Sequence, residues 1–290
     1  QGESFDYPEV FFEEKVHEIR RVHPDPSHIN QAVEKIKNSK QPIIISGGGV
    51  LYSEAEQELS KFAKKHNIPV TSTAMGIGCM TKDDPYYISA VGALGEGSSN
   101  SLSKDTDLAL AIGTKLADFT TGSWANFENP NFKLVSVNTA RYDTTKHLAT
   151  PVISDAKVGL QKISEALGDW KAPDDWYKRA IKEKNKWDAY VEKQSGPTNQ
   201  EEPSYAHAVG AVYRNSDPSD IVVTAAGGLV GEVVQVWKPK QLNTFETEWG
   251  FSCMGYEISG ALGIKMAKPD QDVVVFVGDG SYLLNNTDIY

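Results

Sequence analysis

Residues 273–281, VVVFVGDGS, place a run of apolar, mostly β-branched residues directly before Gly278, Asp279, Gly280 and Ser281. Such a run predicts a strand buried on both faces of a parallel sheet, and the two glycines predict a sharp turn at its carboxyl end. Open α/β sheets bind ligands at that edge. The Asp279 carboxylate suits Mg²⁺ or Ca²⁺, and the amides of Gly280 and Ser281 suit phosphate oxygens.

Taken alone, Gly-Asp-Gly-Ser is a short motif that an ordinary turn between a strand and a helix explains without any ligand. Two further segments change that interpretation. Residues 222–232, VVTAAGGLVGE, and residues 248–263, EWGFSCMGYEISGALG, also place glycines and small residues where the chain enters a helix. Three such loops, the last with an acidic residue, predict a site for a cofactor with a diphosphate tail.

Strand and helix patterns alternate along the chain, which predicts an α/β fold of two doubly wound parallel-sheet domains, the second incomplete. Ser53 and Glu56 form a capping-box pattern that predicts a helix from about Glu54 to His66, and Asp155 predicts the start of a helix that runs to residue 167. Apolar runs predict strands at residues 41–46, 68–72, 107–113, 132–138 and 150–154.

A change of composition separates the two predicted domains. Residues 168–203 are rich in charged side chains and have few apolar positions, which predicts a helical connector. We therefore predict a middle domain at residues 25–170, a connector at residues 171–200 and a second α/β domain at residues 201–290.

Composition and charge narrow the possible partners and location. Hydrophobic residues make up 40% of the chain and the net charge is −10, a balance that argues against nucleic-acid and membrane partners. Cys79 and Cys253 lie far apart and form no Cys-x-x-Cys pair, so a reducing cytoplasm is expected. The six histidines lack the spacing of metal ligands and are expected at the surface or at helix ends.

A separate glycine cluster, Gly47 to Gly49, follows the predicted strand at residues 41–46. Its backbone amides suit a phosphate, but the sequence is not the Gly-x-Gly-x-x-Gly fingerprint of dinucleotide-binding proteins. A tight turn without a ligand is the preferred interpretation, with nucleotide binding as the alternative.

The segments 248–263 and 278–290 resemble thiamine diphosphate (ThDP) enzymes of the pyruvate decarboxylase and acetolactate synthase superfamily. Members contain a pyrimidine-binding, a middle and a diphosphate-binding domain, in that order. Residues 25–170 resemble the middle domain, and residues 201–290 resemble the first half of the diphosphate-binding domain. Residues 1–24 are then expected to lead in from a pyrimidine-binding domain.

The resemblance implies site residues in each of the three loops. Asp279 would be the metal ligand, and the diphosphate would lie along Ala226, Gly227, Gly228, Gly278, Gly280 and Ser281. Main-chain groups of Ser252, Cys253 and Met254 would hydrogen-bond the aminopyrimidine, and the Met254 side chain would hold the cofactor in its bent form.

The resemblance also implies an activity, cofactors and an assembly. The branch that the chain most resembles cleaves the carbon–carbon bond between adjacent ketones of a cyclic 1,2-dione in inositol catabolism, with ThDP and Mg²⁺, as a dimer or tetramer. The glutamate that activates the cofactor belongs to the family's pyrimidine-binding domain, so no catalytic residue is assigned here. Asn285 and Asn286 are interpreted as ordinary helix residues rather than as the family's second metal ligand, and the 290-residue chain alone is expected to be inactive.

Two alternatives differ in their substrates or ligands. One is another ThDP lyase or synthase, such as an acetolactate synthase relative that consumes pyruvate. The other is a non-catalytic nucleotide-binding module in which the loop Gly47 to Gly49 holds ADP or FAD.

Overall fold

The computed structural model describes residues 4–290, and it contains two parallel β-sheets flanked by helices. The predicted linker covers residues 1–24, and its residues 1–3 lie outside the described residues. The first unit contains α1 Pro26–Lys37, β1 Pro42–Ser46, α2 Gly48–Tyr52, α3 Glu56–His66, β2 Val70–Ser72, β3 Tyr87–Ala90, α4 Gly97–Asp105, β4 Leu108–Ile112, α5 Asp118–Thr121, β5 Lys133–Asn138, α6 Arg141–Thr145, β6 Thr150–Ile153 and α7 Ala156–Leu167. The connector and second unit contain α8 Asp174–Ser195, α9 Tyr205–Asn215, β7 Ile221–Thr224, α10 Leu229–Val236, β8 Phe245–Thr247, α11 Tyr256–Ala267, β9 Val273–Val275 and α12 Asp279–Asn285.

The first sheet has six parallel strands in the order β3-β2-β1-β4-β5-β6. In this order the chain starts near the centre, winds to one edge, returns and winds to the other edge. Helices therefore cover both faces, and β1 and β4 are buried at every position. The predicted parallel α/β fold is confirmed.

Alternate residues of β1 face the two halves of the core, as the two-residue period of a strand requires. Ile44 packs in the cluster formed with α1, α3 and α7. Ile43 and Ile45 pack on the other face, with Leu102 of α4 and Trp176 of α8. Full burial of one such aliphatic side chain contributes about 1.5–3 kcal/mol.

The predicted start of α7 at Asp155 is confirmed and also anchors the preceding segment. Asp155 Oδ1 accepts a hydrogen bond from Val158 N–H at 3.1 Å, which caps the helix. Arg21 Nη1 donates to Asp155 Oδ2 at 3.0 Å and to the Ser53 carbonyl at 2.7 Å. Part of the predicted linker is thus bound to the first unit.

The predicted capping box of Ser53 and Glu56 is wrong. A short helix, α2, follows β1 and ends at Tyr52, with Ser53 at its C-cap, and α3 begins at Glu56 without a side-chain cap. Glu54 separates the two helices because its φ of 52° is left-handed. The Ser53 hydroxyl instead accepts a hydrogen bond from Ala156 N–H at 3.4 Å.

The second sheet is smaller, with three parallel strands in the order β8-β7-β9. The strand predicted at residues 273–277 is shorter in the structure, and its predicted burial on both faces is wrong. Because β9 lies at an edge of this sheet, Val275 is 36% exposed.

One hydrophobic cluster contains residues of both units. Ile77 and Ala90 of the first unit pack with Val209, Val222 and Phe245 of the second. The predicted connector helix α8 contributes Val191 to the same cluster. Within the described residues, none of the helices has the length and apolar character that a bilayer crossing requires.

Candidate functional site

Three loops meet at the carboxyl edge of the second sheet, because β7, β8 and β9 are parallel. The first loop, residues 225–228, follows β7 and leads into α10. The second loop, residues 248–255, follows β8 and leads into α11. The third loop, residues 276–278, follows β9 and leads into α12. The structure therefore brings together all three segments that the sequence analysis selected.

The first loop leaves an open space in front of its glycines. Gly227 has a φ of +84°, which favours glycine. A Cβ atom added at Gly227 or Gly228 would meet no other atom within 4 Å. Ala226 differs, because its N–H donates to the Glu257 carboxylate at 3.1 Å and is not available to a ligand.

The second loop is shaped by the carboxylate of Glu248. Its oxygens accept hydrogen bonds from Phe251 N–H at 2.9 Å and from Cys253 N–H at 2.8 Å. These bonds hold Ser252 at a left-handed φ of 51°. Slight burial raises the pKa of the Glu248 carboxyl group, whereas hydrogen bonds from backbone amides, that of Cys253 above all, lower it. The hydrogen bonds have the larger effect, so the pKa lies below its ordinary value.

Glu257 is fully buried in the first turn of α11 and joins the first two loops. Oε1 accepts from Ala226 N–H at 3.1 Å, and Oε2 accepts from Gly255 N–H at 3.0 Å. Sequence reasoning missed this residue. A glutamate near the start of a helix is ordinary, since the helix dipole favours acidic side chains there, and only the fold shows which amides it reaches.

The third loop presents the start of α12. Gly278 precedes the helix and has open space where a Cβ would lie, Asp279 is exposed, and Ser281 is buried. No side chain caps this helix. Met254 of the second loop lies across the gap, with its Cε 3.1 Å from the position of a Cβ added at Gly280.

Asp279 has few neighbours that bind metals. In residues 4–290 no group of three or more His, Cys, Asp or Glu side chains is placed to hold a metal ion. Asn285 Nδ2 donates to the Gly255 carbonyl at 3.3 Å and to Ser259 Oγ at 2.6 Å. Asn285 thus links α12 to the start of α11.

The glycine cluster of the first unit is explained by close packing of backbone on backbone. A Cβ at Gly47 would lie 2.4 Å from the Gly113 carbonyl oxygen, and a Cβ at Gly49 would lie 2.6 Å from Gly113 Cα. This loop also borders a cleft of about 300 Å³ that includes Thr114 and Lys115. The glycines thus have a structural reason, while the cleft keeps the nucleotide alternative open.

A second cleft of about 230 Å³ lies between the two units and was not predicted. It is lined by Tyr52 and Met75 of the first unit and by Glu246 of the second. Tyr256 Oη donates to Glu246 Oε1 at 3.3 Å. Burial raises the pKa of Glu246, and burial together with the Glu246 carboxylate raises the pKa of Tyr256 to about 12.

With this geometry in place, two family models match the chain. Residues 29–163 match the thiamine pyrophosphate enzyme central domain, and residues 225–289 match the C-terminal TPP-binding domain of the same enzymes. The chain therefore belongs to the thiamine pyrophosphate (ThDP) enzyme family, as the sequence resemblance indicated.

Individual proteins with an assigned activity are also similar to this chain in sequence. Three of them carry the name 3D-(3,5/4)-trihydroxycyclohexane-1,2-dione hydrolase, from Clostridium tetani, Geobacillus thermodenitrificans and Clostridium botulinum, and are 37%, 36% and 35% identical to this chain. Each alignment covers 100% of this chain and 49%, 48% and 48% of the respective relative. The chain thus spans about half the length of the curated relatives it matches.

Proposed function

We propose that the natural protein containing these residues is a ThDP- and Mg²⁺-dependent hydrolase acting on a cyclic 1,2-dione. It would cleave the carbon–carbon bond between the adjacent ketones of trihydroxycyclohexane-1,2-dione and form 5-deoxyglucuronate, a step of inositol catabolism. The observation that carries this proposal is the meeting of three glycine loops at one sheet edge, in a chain whose relatives bear that hydrolase name.

The residues at this edge fit a diphosphate. Gly227, Gly228 and Gly278 all face open space where any larger residue would place a Cβ atom. Backbone N–H groups at such positions bind phosphate oxygens closely. A diphosphate can occupy this space without displacing a side chain.

The residues also fit a magnesium ion. Mg²⁺ in phosphate-binding sites is commonly held by one or two carboxylates together with phosphate oxygens and water. Asp279 provides one exposed carboxylate beside the third loop. Asp279 would therefore hold the metal next to the diphosphate.

The remaining roles belong to the second loop and to its neighbours. When bound, ThDP supplies an electron sink for cleavage of a carbon–carbon bond next to a carbonyl group. Met254, 52% exposed, would pack against the bound cofactor from the side of the second loop. Glu248 keeps the backbone of that loop in a fixed shape, so that main-chain groups of Ser252 and Met254 are positioned before binding.

A homo-oligomer and a cytoplasmic location are part of the proposal. Large apolar side chains of α11 and α12 are exposed, which supports an interface on this side of the second unit. Both cysteines are free thiols, which supports a reducing compartment. Sedimentation of the natural protein would distinguish a dimer or tetramer from a monomer.

The first test is a calorimetric titration of ThDP with Mg²⁺ into the natural protein and into its Asp279→Ala variant. We expect the unmodified protein to bind and the variant to lose Mg²⁺-dependent binding, since the substitution removes the carboxylate that follows the third loop at the start of α12. Absence of binding by the unmodified protein would contradict the proposal.

Turnover then separates the alternatives. Hydrolysis of the cyclic dione without consumption of pyruvate supports the proposal, and consumption of pyruvate alone supports an acetolactate synthase relative.

The cleft of about 300 Å³ near Gly49 is the observation that favours a nucleotide-binding module. An increase of the melting temperature with ADP but not with ThDP would favour that module.

A further inference from the structure

We propose that Glu257 is a positioning residue that holds the first and second loops at a fixed separation for the cofactor. The inference rests on the proposed function, because it assumes that these two loops bind one ligand. The juxtaposition that carries it is a fully buried carboxylate with one oxygen on each loop.

The two hydrogen bonds of Glu257 are not redundant. The bond from Ala226 N–H fixes the first loop, which follows β7. The bond from Gly255 N–H fixes the end of the second loop, where the chain turns into α11 at a φ of +97°. Because the two donors lie 29 positions apart in the sequence, a single side chain sets the distance between otherwise separate segments.

A glutamate meets this requirement better than other residues of similar size. Both partners are N–H donors, so the side chain must present an acceptor to each of them. Glutamine keeps the length but turns an NH₂ group toward one of the two amides, which replaces an attraction with a contact between donors. The position in the first turn of α11 also favours a negative charge through the helix dipole.

The position of Glu257 also determines which amides remain for a ligand. Ala226 and Gly255 donate to the carboxylate, so the first loop offers the amides of Gly227 and Gly228 and the second offers groups nearer Met254. Glu257 therefore separates the part of the site that suits a diphosphate from the part that suits a ring. A shift of either loop would change the distance between these two parts, and one bound cofactor has to span that distance.

The experiment compares the natural protein with Glu257→Gln and Glu96→Gln, all purified without cofactor. Glu96 is a matched control because it is another almost completely buried glutamate, and its carboxylate contacts Lys238 and Ala90 N–H instead of an amide of the three loops. ThDP with Mg²⁺ is titrated by calorimetry, melting temperatures are measured, and amide hydrogen exchange is followed at Ala226 and Gly255 in the absence of ThDP.

We expect Glu257→Gln to bind ThDP about tenfold more weakly, a change that corresponds to about 1.4 kcal/mol. Ala226 and Gly255 should lose their protection from exchange in this variant. Glu96→Gln should melt at a lower temperature but bind ThDP as the unmodified protein does.

Several outcomes would overturn the inference. Unchanged affinity in Glu257→Gln, or an equal loss of affinity in both variants, would leave Glu257 with only a general role in stability. Should Glu257→Gln not fold, rapid exchange of Ala226 and Gly255 in the unmodified protein would still contradict the inference. An unmodified protein that binds no ThDP overturns the proposed function as well, which distinguishes that failure from the others.

Discussion

Gly278 and Gly228 have ordinary backbone conformations, so their lack of a side chain is not required by a strained turn. Their φ angles are −76° and −68°, values that any L-residue adopts. A Cβ atom added at either residue would meet no other protein atom within 4 Å. Under the proposed function, glycine at these two positions leaves room for the diphosphate to approach the backbone.

Gly278→Ala separates the folding role of this residue from its binding role. The free energy of unfolding should change by no more than about 0.5 kcal/mol, because the new methyl group meets no protein atom. The affinity for ThDP should fall about tenfold or more, since an added methyl group in a filled contact costs roughly 1–3 kcal/mol. Denaturant unfolding and calorimetric titration measure the two effects.

Gly263→Ala is the matched control for that substitution. Gly263 lies inside α11 and also has open space at its Cβ position. Replacement should raise the free energy of unfolding by roughly 0.5–1 kcal/mol through helix propensity and leave ThDP affinity unchanged. Equal losses of ThDP affinity in the two variants would contradict the role of Gly278 in binding.

The sequence indicated the residues of the site that depend on local pattern, and it missed those that depend on tertiary structure. The strand, the glycine turn and Asp279 are contiguous, so their proximity followed from one short segment. Glu257 and Glu248 act on amides that only the folded loops bring within reach. The engagement of the Ala226 amide could not be predicted for the same reason.

At the scale of single elements, the end of α3 contains a buried histidine whose surroundings favour its neutral form. His66 is buried, with Nδ1 2.8 Å from the Trp170 carbonyl oxygen and Nε2 2.9 Å from Ser164 Oγ. A carbonyl oxygen only accepts, so Nδ1 carries the proton and Nε2 accepts from the hydroxyl. Burial lowers the pKa of His66 below its ordinary value.

This lowered pKa predicts a loss of stability on mild acidification. The unfolded chain takes up a proton as the pH falls below about 6.5, whereas the folded protein resists protonation until its lower pKa is reached. The contribution of neutral His66 to the free energy of unfolding should therefore be fully present above pH 6.5. It should be lost as the pH falls toward the lower pKa of the folded protein, by about 1.4 kcal/mol for each unit of difference between the two pKa values. His66→Gln should remove this part of the pH dependence in denaturant titrations between pH 7 and 5, although it should be less stable at neutral pH.

The elements that sequence patterns predicted well are those with a regular apolar period. The buried residues of α1, among them Ile29, Val33 and Ile36, follow the helical period. The predicted helix start at Glu54 was wrong because Ser53 and Glu56 match a capping box, while the backbone at Glu54 takes a left-handed turn and α3 begins at Glu56. Strand β3, with only Tyr87–Ala90, is too short to show a period of its own.

At the scale of the whole molecule, a buried ion pair joins the two units. Lys238 of the second unit contacts the Glu96 carboxylate, which is almost completely buried in the first unit. Burial raises the pKa of Glu96, and the Lys238 ammonium group offsets part of that effect. Ala90 N–H also donates to this carboxylate, at 3.3 Å.

Lys238→Met should destabilise the folded protein by roughly 3–5 kcal/mol, because it leaves the Glu96 carboxylate buried without a cation. The double variant Lys238→Met with Glu96→Gln should recover a large part of this loss, since no uncompensated charge remains. Equilibrium unfolding in urea measures both variants. A double variant no more stable than Lys238→Met would show that the ion pair does not account for the loss.

Glu248 and Glu257 hold the first two loops in shape before any ligand arrives, and this has a kinetic consequence. A protein whose loops are already ordered spends little of its binding free energy on arranging them. After the cofactor has been removed by dialysis, its return should follow a single fast phase rather than show a lag. Protein that has been emptied of ThDP would then be reloaded as soon as ThDP is supplied again.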